Sequence, residues 1–567
     1  MIMEKDDHLV SRGRHYWKSL DGLAETPGFR SWIEKEFPDG ASMLDGVQRR
    51  GFMKMMAASF GLAGLGMTSC RRPEHAILPY GQSPEELVPG IPSFYSTSMP
   101  TSKGFNPLIV ESHEGRPTKI EGNPSYLPFG GGTDIYAQAS VLEIYDPDRS
   151  RGSFKKDSKK TQGSTLMRWK KKPTDTLLLE VSKWAKEKKM AVLSDSSFSV
   201  VVNKIKDDYL TQGIKWFEYD PIDFLKPEKS LASALKADNS LRSIPNFNKC
   251  KRVLSLDCDF LGNREPFNQA NSRSFMKKRH IRPNKPEDAK SMNRLYSVES
   301  DLTITGGVAD HRLRLESSKM SVFANLILAQ ILRKLKSTDE TLLSHLEKEQ
   351  DILTAQNEWI LTCVDDLCEN PSSSLVLAGN HLPQDVQVAV YAINRALGAI
   401  GKTIRYKPVD PTLSSSVGSL VDSINAGEVD SLLIVGGNPI YHTKEFIDWE
   451  KLFDKLDNSA RVGYSIDESS ERCDLHIGQS HYLESWDLGL TWDNETLVPV
   501  QPLIAPLFDT KSDVDCLLRI LGDSEDAHNL TKSLFEKISD KVSFDDFLRL
   551  GVAPYLSLIH ISEPTRP

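Results

Sequence analysis

The sequence predicts an α/β protein built in several layers with mostly parallel sheets. From about residue 174 onward, short apolar runs alternate with amphipathic segments, and several runs end in Gly, Asp or Asn. Continuous apolar strands that alternate with helices are typical of parallel sheets covered on both faces. The composition, 39% hydrophobic and 26% charged, provides enough apolar side chains for a sizeable core.

Particular segments carry these patterns. Strands are predicted over 190–194 (MAVLS), 252–257 (RVLSLD), 373–380 (SSLVLAGN) and 431–439 (SLLIVGGNP). Helices are predicted over 176–189, 321–335, 384–398 and 444–456, where apolar residues recur at helical spacing.

Residues 106–150 follow a different pattern. The runs LIVESHE and PTKIEGN predict a hairpin around Gly115 and Arg116. A glycine-rich loop then leads to a predicted helix over 136–144, which Pro147 follows after Tyr145 and Asp146.

Two strand ends carry candidate ligand-binding residues. Gly379 and Asn380 end one predicted strand, and Gly436, Gly437 and Asn438 end another. Ligands of parallel sheets bind beyond the carboxyl ends of strands, and glycines let a phosphate approach the backbone closely. Tight strand-to-helix turns use the same residues, with asparagine as the helix cap. Both interpretations stay open, with the turn favoured.

Acid–base candidates are few. Asp310 precedes His311, and His481 lies near Glu484. Because no second catalytic group can be placed beside them from the sequence, we interpret them as structural residues and predict no catalytic residue.

The first 70 residues resemble an export signal preceded by an extra segment. Residues 1–48 contain aromatic and apolar residues at spacings that predict two short amphipathic helices, split near Pro27. Residues 49–70 match the twin-arginine pattern, with Arg49, Arg50, Phe52 and Lys54 as its key positions. An ordinary helix with two surface arginines is the competing interpretation.

Cys70 ends this signal in a loose lipobox, which makes it a candidate for lipidation. A single acyl chain binds a membrane only marginally, so stable anchoring would need further chains or a membrane partner. No apolar run reaches the length of about 20 residues that a membrane-spanning helix needs.

Charge and cysteine spacing exclude several classes. The net charge of −8 gives no support for nucleic-acid binding, and the basic run over 155–172 is interpreted as a solvated loop. The seven cysteines contain no C-x-x-C and no zinc or iron–sulfur spacing, and we predict no disulfide.

The last residues, 557–567 (SLIHISEPTRP), resemble a translated sequencing adapter and are excluded from fold reasoning. We therefore expect the natural chain to continue beyond about Leu556.

The segments EGRPTKIEGNP and GGGTDIYAQASVLEIYDPDR, within 114–149, are similar to the start of the molybdopterin oxidoreductase superfamily. Segments 303–315, 432–442 and 481–513 extend the resemblance. Together with the segment before the twin arginines, they resemble one branch, the large iron–sulfur subunits of alternative complex III. The resemblance implies a molybdopterin oxidoreductase-like region over 71–556 and a ferredoxin-like, cluster-bearing domain further along.

The chain departs from the superfamily at its cluster-binding residues. Asp134 stands where the last cluster cysteine is expected, and Tyr136 and Ala137 replace the following basic residue and glycine. Since iron–sulfur clusters need thiolate ligands, usually four, no cluster and no metal are expected in this region. Cys250 and Cys258 are candidate molybdenum ligands by element type alone.

The resemblance implies a respiratory role. The chain would be a cofactor-free scaffold within the iron–sulfur subunit of a quinol:electron acceptor oxidoreductase, at the periplasmic face of the cytoplasmic membrane. Its partners would be a multi-haem cytochrome c and quinol-binding integral membrane subunits. One alternative is an active bis-molybdopterin oxidoreductase, with Gly379, Asn380 and the Gly436–Asn438 turn cradling pterin phosphates. Another is a periplasmic α/β binding module.

Overall fold

The computed structural model describes Pro27, Val88 and residues 90–555, except for 157–168, 187–188, 349, 410–414, 524 and 540. The chain divides into two units, Met1–Glu85 and Glu86–Pro567, and the elements below belong to the second. The predicted pre-signal helices (apart from Pro27), the export signal and Cys70 lie outside the described residues, as do residues 557–567.

The strands of the described residues form five sheets. In chain order they are β1 (Ser93–Met99), β2 (Asn106–His113), β3 (Arg116–Gly122), β4 (Ser153–Lys156), β5 (Trp169–Lys172), β6 (Met190–Ser194), β7 (Lys215–Glu218), β8 (Ser240–Pro245), β9 (Arg252–Leu256), β10 (Arg294–Glu299), β11 (His311–Arg314), β12 (Ser374–Ala378), β13 (Ile404–Val409), β14 (Ser415–Ser416), β15 (Ser431–Val435), β16 (Asn458–Gly463), β17 (Leu475–Gly478), β18 (Asp487–Leu490), β19 (Thr496–Val500) and β20 (Ala553–Pro554).

The α-helices lie mainly between strands of the parallel sheets. They are α1 (Ile135–Glu143), α2 (Thr174–Lys186), α3 (Val200–Thr211), α4 (Lys226–Leu235), α5 (Asn268–Lys277), α6 (Ile304–Val308), α7 (Met320–Lys334), α8 (Glu340–Leu346), α9 (Asn357–Glu369), α10 (Gln384–Ala396), α11 (Val417–Asn425), α12 (Pro439–Thr443), α13 (Trp449–Phe453), α14 (Glu468–Arg472), α15 (Asp513–Leu521), α16 (Ala527–Ile538) and α17 (Phe544–Leu550).

The largest sheet has eight strands in the order β14-β7-β6-β15-β16-β17-β4-β5. The first six are parallel, with Ser431 of β15 opposite Met190 of β6 and Asn458 of β16. The predicted strands β6 and β15 are therefore confirmed. The last two strands are antiparallel and contain both ends of the basic run 155–172. The interpretation of that whole run as a loop was wrong, because its ends pair with each other at the sheet edge.

A second parallel sheet has four strands in the order β11-β10-β9-β12. Two of its three pairings involve β9, which is buried throughout except at Arg252. The strands predicted over 252–257 and 373–380 are confirmed here as β9 and β12. Three smaller antiparallel sheets, β1-β2-β3, β13-β8 and β18-β19-β20, complete the fold.

The predicted hairpin is confirmed as β2 and β3. Its turn lies at Glu114 and Gly115, both at positive φ, and Arg116 already begins β3. The strand β1, which pairs with β2 along its whole length, was not predicted.

Helices cover both faces of the two parallel sheets. One face of the eight-stranded sheet packs against α2, α3 and α15–α17, and the other against α11–α13. In the four-stranded sheet, α7, α9 and α10 cover one face, while aromatic residues around α5 cover the other. Fully burying one large apolar side chain contributes about 1.5–3 kcal/mol, so these layers dominate stability. Representative buried residues are Val181, Ile205, Leu517, Phe535, Leu420, Trp449, Phe323, Val364, Ile393, Phe247 and Phe275.

The helix predicted over 444–456 was wrong in extent. Only α13 is helical there, and Asp448 begins it by accepting the backbone N–H of Lys451 (3.3 Å). An aspartate side chain that caps a helix competes with the continuation of a preceding one. Upstream, the indole of Trp449 donates to Thr443 (2.8 Å), which holds the connection folded back on α12.

In the part of the chain that the structure describes, no helix combines the length and apolar character needed to cross a bilayer.

Candidate functional site

The carboxyl ends of the two parallel sheets are where a ligand of this fold would be expected. The turn Gly436–Asn438 follows β15 in the eight-stranded sheet, and Gly379 and Asn380 follow β12 in the four-stranded sheet. The structure thus places both predicted turns at strand ends, but in different sheets.

In the first turn, Asn438 caps a helix. Its side-chain oxygen accepts the backbone N–H of Tyr441 (3.4 Å) and the hydroxyl of Ser469 (2.7 Å). Its amide nitrogen donates to Glu468 (2.7 Å). Since both ends of the amide are used within the protein, Asn438 acts as the cap of α12 and not as a free ligand donor.

The two glycines of this turn enclose a carboxylate of the protein itself. Gly436 and Gly437 have φ values of +70° and +50°, and a Cβ on Gly436 would lie 2.8 Å from an oxygen of Asp195. The backbone N–H of Gly437 donates to the same carboxylate. Burial raises the pKa of Asp195 to about 7, and the neighbouring Asp220 adds to the rise.

A buried arginine holds the other side of this turn. Arg461, on β16, donates to the carbonyl oxygens of Gly436 and Gly437. Its guanidinium also forms an ion pair with Asp467 (2.9 Å). A planar guanidinium presents several donors in a fixed fork, so it can bind the turn and the carboxylate together. The Gly436–Gly437 turn therefore contacts Asp195 through a backbone N–H and Arg461 through its carbonyl oxygens.

The second turn also holds a protein carboxylate. The backbone N–H of Asn380 donates to Glu265 (3.2 Å), a buried residue in the loop after β9. Burial raises the pKa of Glu265 to about 7. Gly379 is packed too closely for a side chain, because a Cβ there would overlap the carbonyl of Asp257 and lie 2.8 Å from His381.

The side chain of Asn380 differs from that of Asn438. Its amide nitrogen is buried and has no hydrogen-bond partner among the described residues. A cavity of about 60 Å³ adjoins it, lined in part by Glu265, Asn271 and Cys258. A cavity of this size and polarity can hold a water molecule that bridges such groups.

His381 and Asp257 form a pair at the mouth of this turn, 3.3 Å apart. The hydrogen bond to Asp257 raises the pKa of His381. Ser300 and Ser317 donate to the same carboxylate oxygen, at 3.2 and 3.3 Å. In a nucleophilic triad the histidine would lie between serine and aspartate. Here all three groups converge on Asp257, so the arrangement is not that of a triad.

Asp134 occupies a structural position. One oxygen accepts the backbone N–H of Ala137 (2.8 Å), which caps α1. The other accepts the side-chain amides of Gln269 (3.0 Å) and Asn106 (3.3 Å). Asp134, which occupies the position expected for a cluster cysteine, therefore connects α1 to β2 and α5 through hydrogen bonds. Tyr136, in the first turn of α1, is largely exposed.

Lys103 lies between the Asp134 position and the second turn. It donates to the carbonyl of Asn263 and lies over the ring of Phe224 at 4.8 Å. Burial lowers its pKa, while Glu265 and Asp134 act in the opposite direction. This lysine, Asp195, Glu265 and His381 were not predicted as site residues from the sequence. Only His381 had a visible signal, since it directly follows Gly379-Asn380.

The candidate metal-ligand cysteines are buried, and Cys258 lies near the carboxyl groups of Glu265 and Asp259. Burial raises the pKa of Cys250 to about 12 and that of Cys258 well above its usual value. The described residues contain no group of three or more His, Cys, Asp or Glu side chains arranged to hold a metal ion. The six described cysteines are free thiols: Cys250, Cys258, Cys363, Cys368, Cys473 and Cys516.

The acid–base candidates are engaged in packing. Asp310 pairs with Arg279 and accepts the backbone N–H of Leu295 (2.7 Å), while His311 stacks on Tyr296 with ring centroids 4.8 Å apart.

The second candidate pair is also structural. Glu484 and Arg149 form an ion pair with no exposed side-chain surface. His481 accepts the N–H of Leu483 (3.3 Å), and its other ring nitrogen is buried without a described hydrogen-bond partner. Glu143 lies 3.7 Å from that nitrogen.

Comparison with known proteins gives one relative by sequence. No protein-family model matches the chain. The chain is 23% identical over 463 residues to the menaquinone reductase, molybdopterin-binding-like subunit of Nitratidesulfovibrio vulgaris. The match covers 75% of this chain and 63% of that subunit, so the chain spans less than two thirds of its relative.

Comparison of structures defines the fold. Acetylene hydratase from Pelobacter acetylenicus superposes with a TM-score of 0.60 at 11% identity, covering 81% of this chain and 74% of the hydratase. The α/β fold with mostly parallel sheets predicted from the sequence is confirmed. By sequence and by fold, the chain is similar to molybdopterin oxidoreductase-like proteins.

Proposed function

We propose that this chain is part of the iron–sulfur electron-transfer subunit of a quinol:electron acceptor oxidoreductase of the alternative complex III type. In this proposal the described fold is a scaffold that holds no pterin or metal of its own. The observation that carries the proposal is that protein carboxylates, from Asp195 and Glu265, bind the backbone of both strand-end turns.

These turns do not fit the phosphates of a pterin cofactor. A phosphate at the Gly436–Gly437 turn would have to displace Asp195 and would then face Asp220. Like charges repel more strongly near a protein interior than in bulk water, so Asp220 would oppose a phosphate there. At the other turn, the buried Glu265 already accepts the N–H of Asn380.

The sequence relative supports a respiratory setting. That protein is named a subunit of a menaquinone reductase and is described as molybdopterin-binding-like. We infer that the present chain works with quinol-binding integral membrane subunits, and that a multi-haem cytochrome c is a further partner. Export by the twin-arginine route would place it at the periplasmic face of the cytoplasmic membrane.

Cofactor content tests the scaffold role. The intact complex, purified from membranes with this subunit tagged, is analysed by plasma mass spectrometry for molybdenum, tungsten and iron. We expect iron from clusters and haems, and molybdenum and tungsten near background. Molybdenum or tungsten close to one atom per subunit would instead support the active bis-molybdopterin alternative.

A genetic experiment tests the respiratory role. Deleting the gene should abolish quinol oxidation by the membranes, and the wild-type gene should restore it. The Asp195→Asn variant should restore it fully, because Asp195 serves the fold and no bound cofactor. Unchanged quinol oxidation in the deletion strain would contradict membership of such a complex.

A further inference from the structure

A groove beside α5 differs in charge from the two strand-end turns. It has a volume of about 290 Å³, and no aspartate or glutamate lines it. Phe267, Ala270, Leu127 and Pro128 provide an apolar floor and wall. The polar lining comes from one serine, three asparagines and two basic residues: Ser274, Asn246, Asn248, Asn271, Arg273 and Lys277.

Arg273 lies beside the glycine-rich loop and has no acidic partner among the described residues. Gly130, at φ +58°, leaves the space that the guanidinium occupies, because a Cβ there would overlap an Arg273 nitrogen. No described residue accepts a hydrogen bond from this guanidinium or forms an ion pair with it. The donors of Arg273 therefore stay available at the groove.

Lys277 lies one helical turn after Arg273, on the same side of α5. It also forms no ion pair with a described residue. The side-chain amides of Asn246, Asn248 and Asn271 line the same groove and make no hydrogen bond to any described group. Two cations and three amides are therefore directed to one place without an internal acceptor.

Nearby arginines behave differently. Arg279 pairs with Asp310, and Arg282 pairs with Asp288 through two hydrogen bonds. Lysines of the same segment, such as Lys285 and Lys290, also form no ion pair with a described residue. The groove is distinguished by an arginine without an acidic partner that meets a lysine and three amides there, which suits an external anion.

We propose that this groove binds a phosphate group, carried by a small phosphate ester or by a phospholipid headgroup. A guanidinium matches phosphate oxygens with paired N–H donors, and an ammonium adds a point charge. The asparagine amides can donate to the remaining oxygens. The apolar wall around Phe267 would contact the carbon portion of the ester. The groove contains no residue of either strand-end turn, although it shares Phe267 and Asn271 with the cavity beside Asn380. The proposal rests on Arg273 and Lys277 and does not depend on the proposed function.

Binding to the full chain tests the proposal. Glycerol 3-phosphate is titrated calorimetrically, and flotation is measured with vesicles of phosphatidylcholine alone or mixed equally with phosphatidylglycerol. The groove variant is Arg273→Ala/Lys277→Ala. The matched control, Lys183→Ala/Lys186→Ala, removes the same charge from exposed positions on α2. Thermal unfolding verifies that both variants fold.

We expect the groove variant to weaken binding about tenfold or more, which corresponds to about 1.4 kcal/mol, and the control to leave it unchanged. Loss of glycerol phosphate binding identifies a small ester as the ligand. Loss confined to phosphatidylglycerol vesicles identifies a lipid headgroup. If neither probe binds, or if the groove and control variants behave alike, the proposal is overturned.

A second variant acts on the groove without removing charge. Gly130→Ala places a methyl group where the Arg273 guanidinium lies, so it should displace the guanidinium and reduce binding. Gly115→Ala is its control, because Gly115 also has positive φ (+80°) but has no atom near its Cβ position. Equal binding by these two variants would contradict the assigned role of Arg273.

Discussion

The turns at Gly436–Asn438 and at Gly379–Asn380 each follow a parallel strand, β15 inside the eight-stranded sheet and β12 at the edge of the four-stranded sheet, and each binds a carboxylate of the protein. The two turns differ in how many of their hydrogen-bonding groups have a partner within the protein. In the first turn, Arg461 binds the carbonyls and Asn438 is used at both ends of its amide. In the second turn no arginine contacts Gly379 or Asn380 among the described residues, and the Asn380 amide nitrogen is buried without a described partner.

This difference shows how a ligand-type turn can be converted into a structural one. A turn built to bind an anion exposes backbone N–H groups that need an acceptor. Asp195 and Glu265 supply that acceptor from within the protein. Burial raises the pKa of both side chains, so they keep their protons to higher pH than exposed carboxyl groups do. The first turn adds a buried cation that completes the network, whereas the second leaves room for a bridging water.

The largest expected effect comes from removing that cation. Arg461→Met should destabilise the protein by about 3–5 kcal/mol, because it removes a buried guanidinium from the partly buried Asp467 and from two turn carbonyls. The midpoint of urea unfolding measures the change. Arg405→Met is the control, since Arg405 forms a half-exposed pair with Glu495 and should cost less than about 1 kcal/mol. Similar losses in the two variants would show that the first turn does not depend on its arginine.

Gly437→Ala should have the next largest effect, about 2–4 kcal/mol. The new Cβ would overlap Asp195, and alanine is strained at a φ of +50°. Gly307→Ala provides the comparison, because Gly307 lies within α6 at ordinary φ with open space around it. Thermal unfolding of both variants checks the prediction, and a tolerant Gly437 would mean that Asp195 can leave the turn at little cost.

Asp195→Asn should change how stability depends on pH. Because the folded-state pKa is about 7 and the ordinary value is 3.8, the folded protein binds more protons than the unfolded chain between these values. Wild-type stability should therefore fall as pH rises from about 4 to 7 and level off above 7. The Asp195→Asn variant has no such titrating group, so its stability relative to that of the wild type should rise steadily across this pH window.

Urea unfolding at several pH values measures this gain, and Glu265→Gln is its counterpart in the second turn. The same sign is expected there, with a smaller change, because the ordinary pKa of Glu265 (4.5) is closer to its folded value of about 7. A gain in only one variant would show that the two turns hold their carboxylates by different means. No gain in either would contradict the assignment of raised pKa values.

The smallest effect is expected at His381. Since pairing with Asp257 raises its pKa, the pair stabilises the fold fully below about pH 6.5, and the contribution is lost as pH rises through the folded-state pKa. His381→Ala should cost about 0.5–1 kcal/mol at pH 5.5 and less at pH 9, because the side chain is more than half exposed. Equal costs at the two pH values would argue that packing, and not charge, holds this side chain.

The sequence predicts the layers better than the contacts between them. Strands such as 190–194 were found because continuous apolar runs bury both faces of a parallel strand. The turns at Gly379 and Gly436 were found because glycine and asparagine mark strand ends. Asp195 and Glu265 could not be assigned to these turns, since they come from other strand-end loops and meet them only after folding.

Two predictions from the sequence were wrong for physical reasons that the structure shows. The helix over 444–456 was extended across Asp448, although aspartate is a common capping residue and marks the start of α13. The basic run over 155–172 was judged by charge alone, which does not distinguish an edge strand from a loop. The groove at Arg273 had no sequence signature, because Gly130, Asn246 and α5 converge only in the fold.

The burial of the cysteines has a practical consequence for chemical labelling. Thiols react as thiolates, and burial raises the pKa of each of the six described cysteines. Five are buried, and Cys368, on the outer part of α9, is partly accessible. Within the described part of the chain, a maleimide should therefore modify Cys368 first, and modification of the others reports the opening of the two sheet cores. The thiols provide a built-in measure of which layer unfolds first.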